Sequence, residues 1–299
     1  MVEPSQSARP MVSVIVPHYH DLPGLELALS SLLVQTYPRA LYEIIVADND
    51  SPEGAGQVGA VVGDRAKLVL VPERGAGPAR NGAVSHARGE VLAFIDSDCV
   101  ADPDWIEQGV AALGRFDFAG GRVRVSSLDP AHKTAVEALE TVFAFNFKNY
   151  IEKKGFSGSG NLFAPRAVFD KVGGFRVGVS EDIDWSHRAT AAGFTLGYAP
   201  DAIVWHPARR TWTDLRTKWR RVHSETFHLG RGRPGAGLKW LARSLALPAS
   251  AVAHTPKVMA NRDLTSRERV RALGMLYRLR LWRLIDSFSL MFPSDSRRL

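Results

Sequence analysis

Short apolar runs alternate with amphipathic stretches through the first two thirds of this 299-residue chain. Val12–Val16 reads as a strand closed by Pro17, and Leu25, Leu29, Leu32 and Leu33 follow at helical spacing. Ile44–Ala47 and Lys67–Val71 are two further strand signals. A Gly-rich turn over Arg74–Pro78 leads into a helix ending near His86. Val91–Ile95 then gives five apolar residues without a break, the mark of a strand buried on both faces. Strands separated by helices at this spacing predict an α/β fold with a doubly wound, mostly parallel sheet.

Beyond this core, Asp102-Pro103 is expected to cap a helix over 104–113, and Phe116–Val125 to form a strand. Ala131–Tyr150 carries apolar residues at helical spacing, and Asn161–Phe163 follows a glycine-rich loop. Gly173-Gly174 ends a short helix begun at Pro165, and Ser180 stands as N-cap for a helix over Glu181–Ala192. Short strands are expected at Thr195–Tyr198 and Ala202–Trp205. Helices are expected over Thr213–Leu229, Leu238–Ala253 and Ser266–Leu290. This division gives a flexible N-terminus over residues 1–10, one domain over 11–206 and a basic helical region over 207–299.

Charge sharpens the division. From Pro207 on there are 20 Lys and Arg against 6 Asp and Glu, which leaves the preceding residues with 18 against 25. An acidic body argues against nucleic-acid binding over the whole surface. The basic tail suits an anionic lipid surface, or else a solvated face of a helix packed on the rest of the chain. One cysteine, Cys99, excludes an internal disulfide framework. The polar start and the lack of a long apolar run predict a cytoplasmic protein, peripheral on the inner face of the plasma membrane where the tail meets it.

Candidate chemistry gathers at the ends of strands, where open α/β sheets bind ligands. Asp96-Ser97-Asp98 closes the fourth strand; paired carboxylates there suit a hard cation shared with phosphate oxygens, or simply cap the loop. Asp48 closes the second strand and either accepts from a base or forms an Asx turn. Arg80-Asn81 follows the Gly-rich turn and could touch base or phosphate. Glu181, Asp182 and Asp184 crowd the first turn of a helix, an arrangement that suits basicity tuning or a cation, or is simply a charged first turn favoured at a helix N-terminus. Asp184 and Arg188 stand at i, i+4 and can pair. His206 closes the last strand, where an imidazole beside carboxylates suits Mn²⁺ as well as Zn²⁺, or is simply a hydrogen-bonded structural residue.

In order, Ser13–Tyr19, Ile44–Ser51, Ala79–Gly82, Phe94–Asp98, Gly173–Phe175 and Glu181–Asp184 resemble family 2 glycosyltransferases. The likeness covers residues 12 to about 206. It implies a GT-A fold and an inverting transfer from a nucleotide-diphosphate sugar, UDP by default, to a hydroxyl acceptor in polysaccharide or glycolipid assembly. By the resemblance, Asp182 is the general base and Glu181 supports the acceptor site. Pro17, Tyr19, Asp21, Asp48, Arg80, Asp96, Ser97 and Asn161 serve the donor. Asp98 and His206 hold a divalent metal, Mn²⁺ or Mg²⁺. The partners implied are the nucleotide-sugar, a saccharide or lipid-linked saccharide, and an anionic membrane surface, with no nucleic acid. His20-Asp21 replaces the more usual Asn-Glu, and Asn49-Asp50 the common Asp-Gly. Two competing readings are a non-catalytic nucleotide-sugar-binding protein and a nucleotidyltransferase. The latter wants a basic phosphate loop after the first strand, where this chain has His18-Tyr19-His20-Asp21.

Overall fold

A computed structural model describes residues 9–230 and 235–291. Residues 1–8, most of the N-terminus expected to be flexible, lie outside the described residues. The first half runs β1 (Val12–His18), α1 (Leu22–Leu32), β2 (Tyr42–Asp48), α2 (Ala55–Val62), β3 (Lys67–Leu70), α3 (Ala76–Val84), β4 (Val91–Ile95), β5 (Val100–Ala101), α4 (Trp105–Ala112) and β6 (Phe118–Ser126). There follow α5 (Ala135–Phe143), α6 (Phe147–Lys154), β7 (Asn161–Pro165), α7 (Arg166–Val172), α8 (Glu181–Ala191) and β8 (Leu196–Pro207). The chain then turns helical: α9 (Trp212–Gly230), α10 (Ala236–Leu245), α11 (Leu247–Met259) and α12 (Ser266–Met291).

The strands form one sheet in the order β3-β2-β1-β4-β7-β6-β8-β5. β1, β2, β3 and β4 are mutually parallel, with β1 between β2 and β4. Alternate residues serve opposite faces. Val14, Val16, Ile44, Val46 and Ala93 pack with Leu25 and Leu29 of α1, whereas Ile15, Ile45, Leu92 and Phe94 pack with Ala79 and Ala83 of α3. Both faces are covered, so these strands read as unbroken apolar runs. Past β4 antiparallel pairs enter: β7 pairs in this way with β4 and β6, and β5 with β8.

Several expected boundaries move for local reasons. The helix expected over 131–150 splits into α5 and α6. Thr134 and Glu137 close a capping box on the first, and the Asn146 side chain accepts from the Asn149 amide at 3.3 Å on the second. These caps override the apolar period. The helix expected over 238–253 restarts after Ala246, because Pro248 lacks an N–H and is accommodated in a new first turn. The two short strands expected after α8 are one continuous strand, β8. Asp102 does not cap α4; its Oδ1 accepts from Trp205 Nε1 at 2.6 Å. Ser180 precedes α8 without a side-chain cap bond.

The chain forms two compact units. One takes residues up to Arg124 together with Asn146–His206, the other Val125–Phe145 together with the residues from Pro207 on. The stretch expected as one domain over 11–206 is thus interrupted. The second unit has its own core, in which Val136, Leu139 and Val142 of α5 meet Leu215, Ala251, Val258, Met275 and Leu279. Among the described residues, no helix is long and apolar enough to cross a membrane.

Close approach of α4 to β7 depends on Gly109, where a Cβ would stand 2.1 Å from Phe163 Cζ. Phe163 is fully buried and packs on Trp105, ring centroids 4.8 Å apart. Gly109→Ala should therefore cost about 1–3 kcal/mol, read as a thermal midpoint lower by roughly 2–4 °C per kcal/mol. An unchanged midpoint would show that α4 does not sit this close to the sheet.

Candidate active site

Two registers assemble the site at the carboxyl end of β4. β4 and β7 pair Ile95 with Asn161, so the next step along sets Gly160 opposite Asp96. A Cβ on Gly160 would lie 2.4 Å from Asp96 Oδ2, which is why glycine stands there. β5 and β8 pair Val100 with Trp205, which carries His206 back to the aspartates. His206 Nε2 lies 3.2 Å from Asp98 Oδ2. Ser97 is half-buried between the two aspartates.

Arg80 links this group to the acidic first turn of α8. Its guanidinium donates from Nη2 to Asp96 Oδ1 at 2.6 Å and from Nη1 to Glu181 Oε1 at 2.9 Å. The side chain is 4% exposed and lies against the Phe175 ring. Arg80 is therefore a brace between two carboxylates, not the open donor contact expected from sequence. Its neighbour Asn81 is likewise committed, donating to Phe175 O and accepting from Phe175 N at 2.8 and 2.9 Å. Gly77 permits the close packing, since a Cβ there would already stand 3.3 Å from Phe175 Cβ.

One carboxylate of each pair is thereby bound by the guanidinium, and the other is left to its surroundings. Burial raises the Asp98 carboxyl above its ordinary value, His206 opposes this, and Asp96 adds to the rise. Burial also raises Asp182, against a hydrogen bond from the Ile183 amide at 2.8 Å, and the Glu181 charge adds to the rise. Asp184 pairs with Arg188 at 2.8 Å, as its spacing predicts, and takes no part in the cluster.

The remaining expected donor residues divide. Tyr19 is exposed, and its hydroxyl accepts from Arg74 Nη1 at 2.9 Å; Arg74 also pairs with Asp50 at 3.0 Å. Pro17 lies on β1 opposite Ala47 of β2. Asp21 caps α1, accepting from the Gly24 amide at 3.0 Å. Asp48 is buried, and its carboxylate accepts from the Ser51 hydroxyl and amide, which is the Asx-turn arrangement. Asn161 is fully buried; its Oδ1 accepts from Trp105 Nε1 at 2.9 Å, and its Nδ2 donates to Arg122 O and Ala202 O. With both amide hydrogens and the amide oxygen bonded to the framework and the side chain fully buried, Asn161 braces three elements.

Sequence reading missed Asn49. Its Nδ2 donates to Val71 O and Glu73 O, and its Oδ1 accepts from the Gly75 amide at 2.7 Å, so it pins the Gly-rich turn to the end of β2. Asp50 beside it adopts φ 61°, the left-handed conformation that favours the glycine more usual at this place. Gly75 itself holds φ 129°.

The chemistry of the donor set fits a hard divalent cation. Asp96, Asp98 and Cys99 each offer one ligand atom within 4.8 Å of the others. Burial, with Asp96 and Asp98 next, pushes the Cys99 thiol well above its ordinary value. The hard donors here are the carboxylate oxygens of Asp96 and Asp98, with the His206 imidazole beside Asp98. Oxygen with imidazole suits Mn²⁺ or Mg²⁺ better than a thiolate-seeking metal.

Known proteins carry the same framework. Residues 13–179 match the profile of Glycosyl transferase family 2. The glycosyltransferase AglE of Haloferax volcanii is 33% identical over 211 residues, 68% of this chain and 69% of that protein. An Escherichia coli relative, the UDP-Glc:alpha-D-GlcNAc-diphosphoundecaprenol beta-1,3-glucosyltransferase WfgD, is 32% identical over 105 residues, 34% of this chain and 41% of its own length. The mannosyltransferase PcManGT of Pyrobaculum calidifontis, solved in complex with GDP-Man and Mn²⁺, superposes with a TM-score of 0.61 at 23% identity, over 98% of this chain and 90% of that one. The fold is GT-A, and the chain belongs to glycosyl transferase family 2. It is a glycosyltransferase, an enzyme of sugar transfer.

The Gly160–Asp96 contact can be tested without activity. Gly160→Ala should push Asp96 off Arg80 and destabilise the chain by about 1–3 kcal/mol, measured by denaturant unfolding. Wild-type stability in this variant would mean that Asp96 and Gly160 are not in contact.

Proposed function

We propose that the enzyme is an inverting glycosyltransferase that moves a sugar from a nucleotide-diphosphate sugar to a hydroxyl of a saccharide or lipid-linked saccharide. The observation that carries this reading is the division made by Arg80. It takes Asp96 and Glu181, and leaves Asp182 as a carboxylate with a raised pKa and one local amide bond. Inversion needs a single in-line displacement at the anomeric carbon with one base. Asp182 removes the acceptor hydroxyl proton. Glu181, held by Arg80, borders the acceptor. Asp96 and Ser97 face the ribose side, and Tyr19 with Pro17 and Asp48 shapes the base pocket.

Asp98 and His206 would hold the divalent cation. When bound, that ion supplies positive charge to the departing diphosphate. UDP remains the proposed nucleotide, supported by the E. coli relative named for UDP-Glc; GDP is the second reading, supported by the Pyrobaculum structure with GDP-Man. A lipid-linked acceptor in polysaccharide or glycolipid assembly accords with the basic C-terminal unit, which we place against the inner face of the plasma membrane.

Asp182→Asn should lower turnover by about a hundredfold to ten-thousandfold while donor affinity stays near that of wild type. Because the base must be ionised and its pKa is raised, wild-type turnover should fall as pH drops through a value above the ordinary aspartate range. An acid limb at or below that range, or near-parental transfer by the variant, would remove Asp182 from the role. Asp98→Ala should abolish the metal-dependent part of the thermal shift given by UDP or GDP with Mn²⁺. An unaltered shift would remove Asp98 from the metal site.

A further inference from the structure

The outer faces of α11 and α12 carry an apolar strip that the active site does not use. α12 turns its inner face into the core of the C-terminal unit through Ala272, Met275, Leu276 and Leu279. Its two carboxylates also point inward. Glu268 is buried with Lys133 Nζ at 3.5 Å, and Asp286 is buried against Arg220 and His223 at 3.4 Å each. Helical periodicity then leaves the opposite row open to solvent: Val270, Tyr277, Leu281, Ile285 and Phe288. Val270 and Ile285 are 69% and 68% exposed. From 270 to 288 this row runs about 27 Å at ~1.5 Å per residue. α11 adds exposed Val252 and Met259, and the Thr255 hydroxyl meets the Tyr277 hydroxyl at 3.2 Å, which joins the two edges.

The charge along this row has one sign. Arg267, Arg271 and Arg278 are exposed beside it, and the carboxylates of α12 are withdrawn on the far side. The Arg278 guanidinium stacks on the Trp212 ring, its carbon 4.3 Å from the ring centroid. A face meant only for water would mix signs and break the apolar row. A face meant for a second copy across a two-fold axis would set arginine against arginine. An apolar row edged by cations, with a tyrosine among its members, suits the boundary between acyl chains and anionic headgroups.

We propose that the outer face of α11 and α12 docks on an anionic bilayer. Val252, Met259, Leu281, Ile285 and Phe288 enter the headgroup–acyl boundary, and Arg267, Arg271 and Arg278 lie among the phosphates. The helices lie on the surface without crossing it. This deepens the lipid-linked acceptor reading above, because the enzyme then works at the surface that holds such an acceptor.

The test is co-sedimentation of the full chain with vesicles of phosphatidylcholine, alone or mixed with phosphatidylglycerol. The chain should pellet with the mixed vesicles and not with the neutral ones, and added salt should weaken the binding. The triple variant Leu281→Ser, Ile285→Ser, Phe288→Ser should reduce partitioning at least about tenfold. The triple variant Arg267→Gln, Arg271→Gln, Arg278→Gln should lose about fivefold per arginine and much of the salt dependence. Circular dichroism checks that both are folded; should the serine variant on α12 fail to fold, Val252→Ser with Met259→Ser on α11 takes its place. A wild-type chain that ignores anionic vesicles, or a folded serine variant that binds them like wild type, overturns the proposal. So does a dimer in sedimentation equilibrium that the serine changes dissolve while wild type stays off vesicles. The thermal shift of the same proteins with UDP or GDP and Mn²⁺ reports separately on the glycosyltransferase reading. Vesicle binding by a chain that responds to no nucleotide overturns that reading and upholds this one.

Discussion

A single buried guanidinium sets the electrostatics of the active site. Four carboxylates from β4 and α8 converge there, and like charges this close cannot all be ionised without a partner. Arg80 is carried in on α3, whose approach is possible because Gly77 adds no side chain against Phe175. It binds one member of each acidic pair, Asp96 and Glu181. Asp98 and Asp182 are what remain, and burial raises the carboxyl of each above its ordinary value. The placement of one cation thus divides four similar groups into two that are paired and two that are not.

The second constraint is strand register. β7 runs against both β4 and β6, β8 runs against β5, and each returns a residue to the end of β4. Gly160 arrives opposite Asp96 and His206 arrives beside Asp98. A slip of one residue in β8 would turn His206 to the other face of the sheet. Asn161, buried between Trp105, Arg122 and Ala202, resists such slips by tying β7 to α4, β6 and β8 at once. The polar groups that look like ligands for the donor include several whose work is to hold that frame.

The parallel half of the fold was legible because both faces of β1, β2 and β4 are covered, so burial writes itself as unbroken apolar runs. The grouping of Asp96 with Asp98 and of Glu181 with Asp182 was legible because each pair is set close in sequence, at a strand end and in a first helical turn. The roles of Arg80, Asn81 and Asn161 were not. A polar side chain in a crevice and one buried in a hydrogen-bonded brace have the same letter, and only tertiary packing tells them apart. The splits within the expected helices 131–150 and 238–253 were visible as caps and prolines, at Thr134, Asn146 and Pro248. They were outweighed by a continuous apolar period. The antiparallel return of β8 depends on partners distant in sequence, which local pattern does not encode.

The C-terminal unit is discontinuous in sequence, and this has a consequence for how the chain is made. α5 leaves the ribosome early with Val136, Leu139 and Val142 on one face. The helices that cover that face, α11 and α12, are synthesised more than a hundred residues later. Until then the face is bare, and closure of so long a loop is entropically unfavourable and slow. A nascent or truncated chain ending near His206 would carry an orphaned hydrophobic helix in its middle. The two units are therefore not separable cassettes: shortening the protein from its C-terminus leaves behind an interior strip with nothing to bury it.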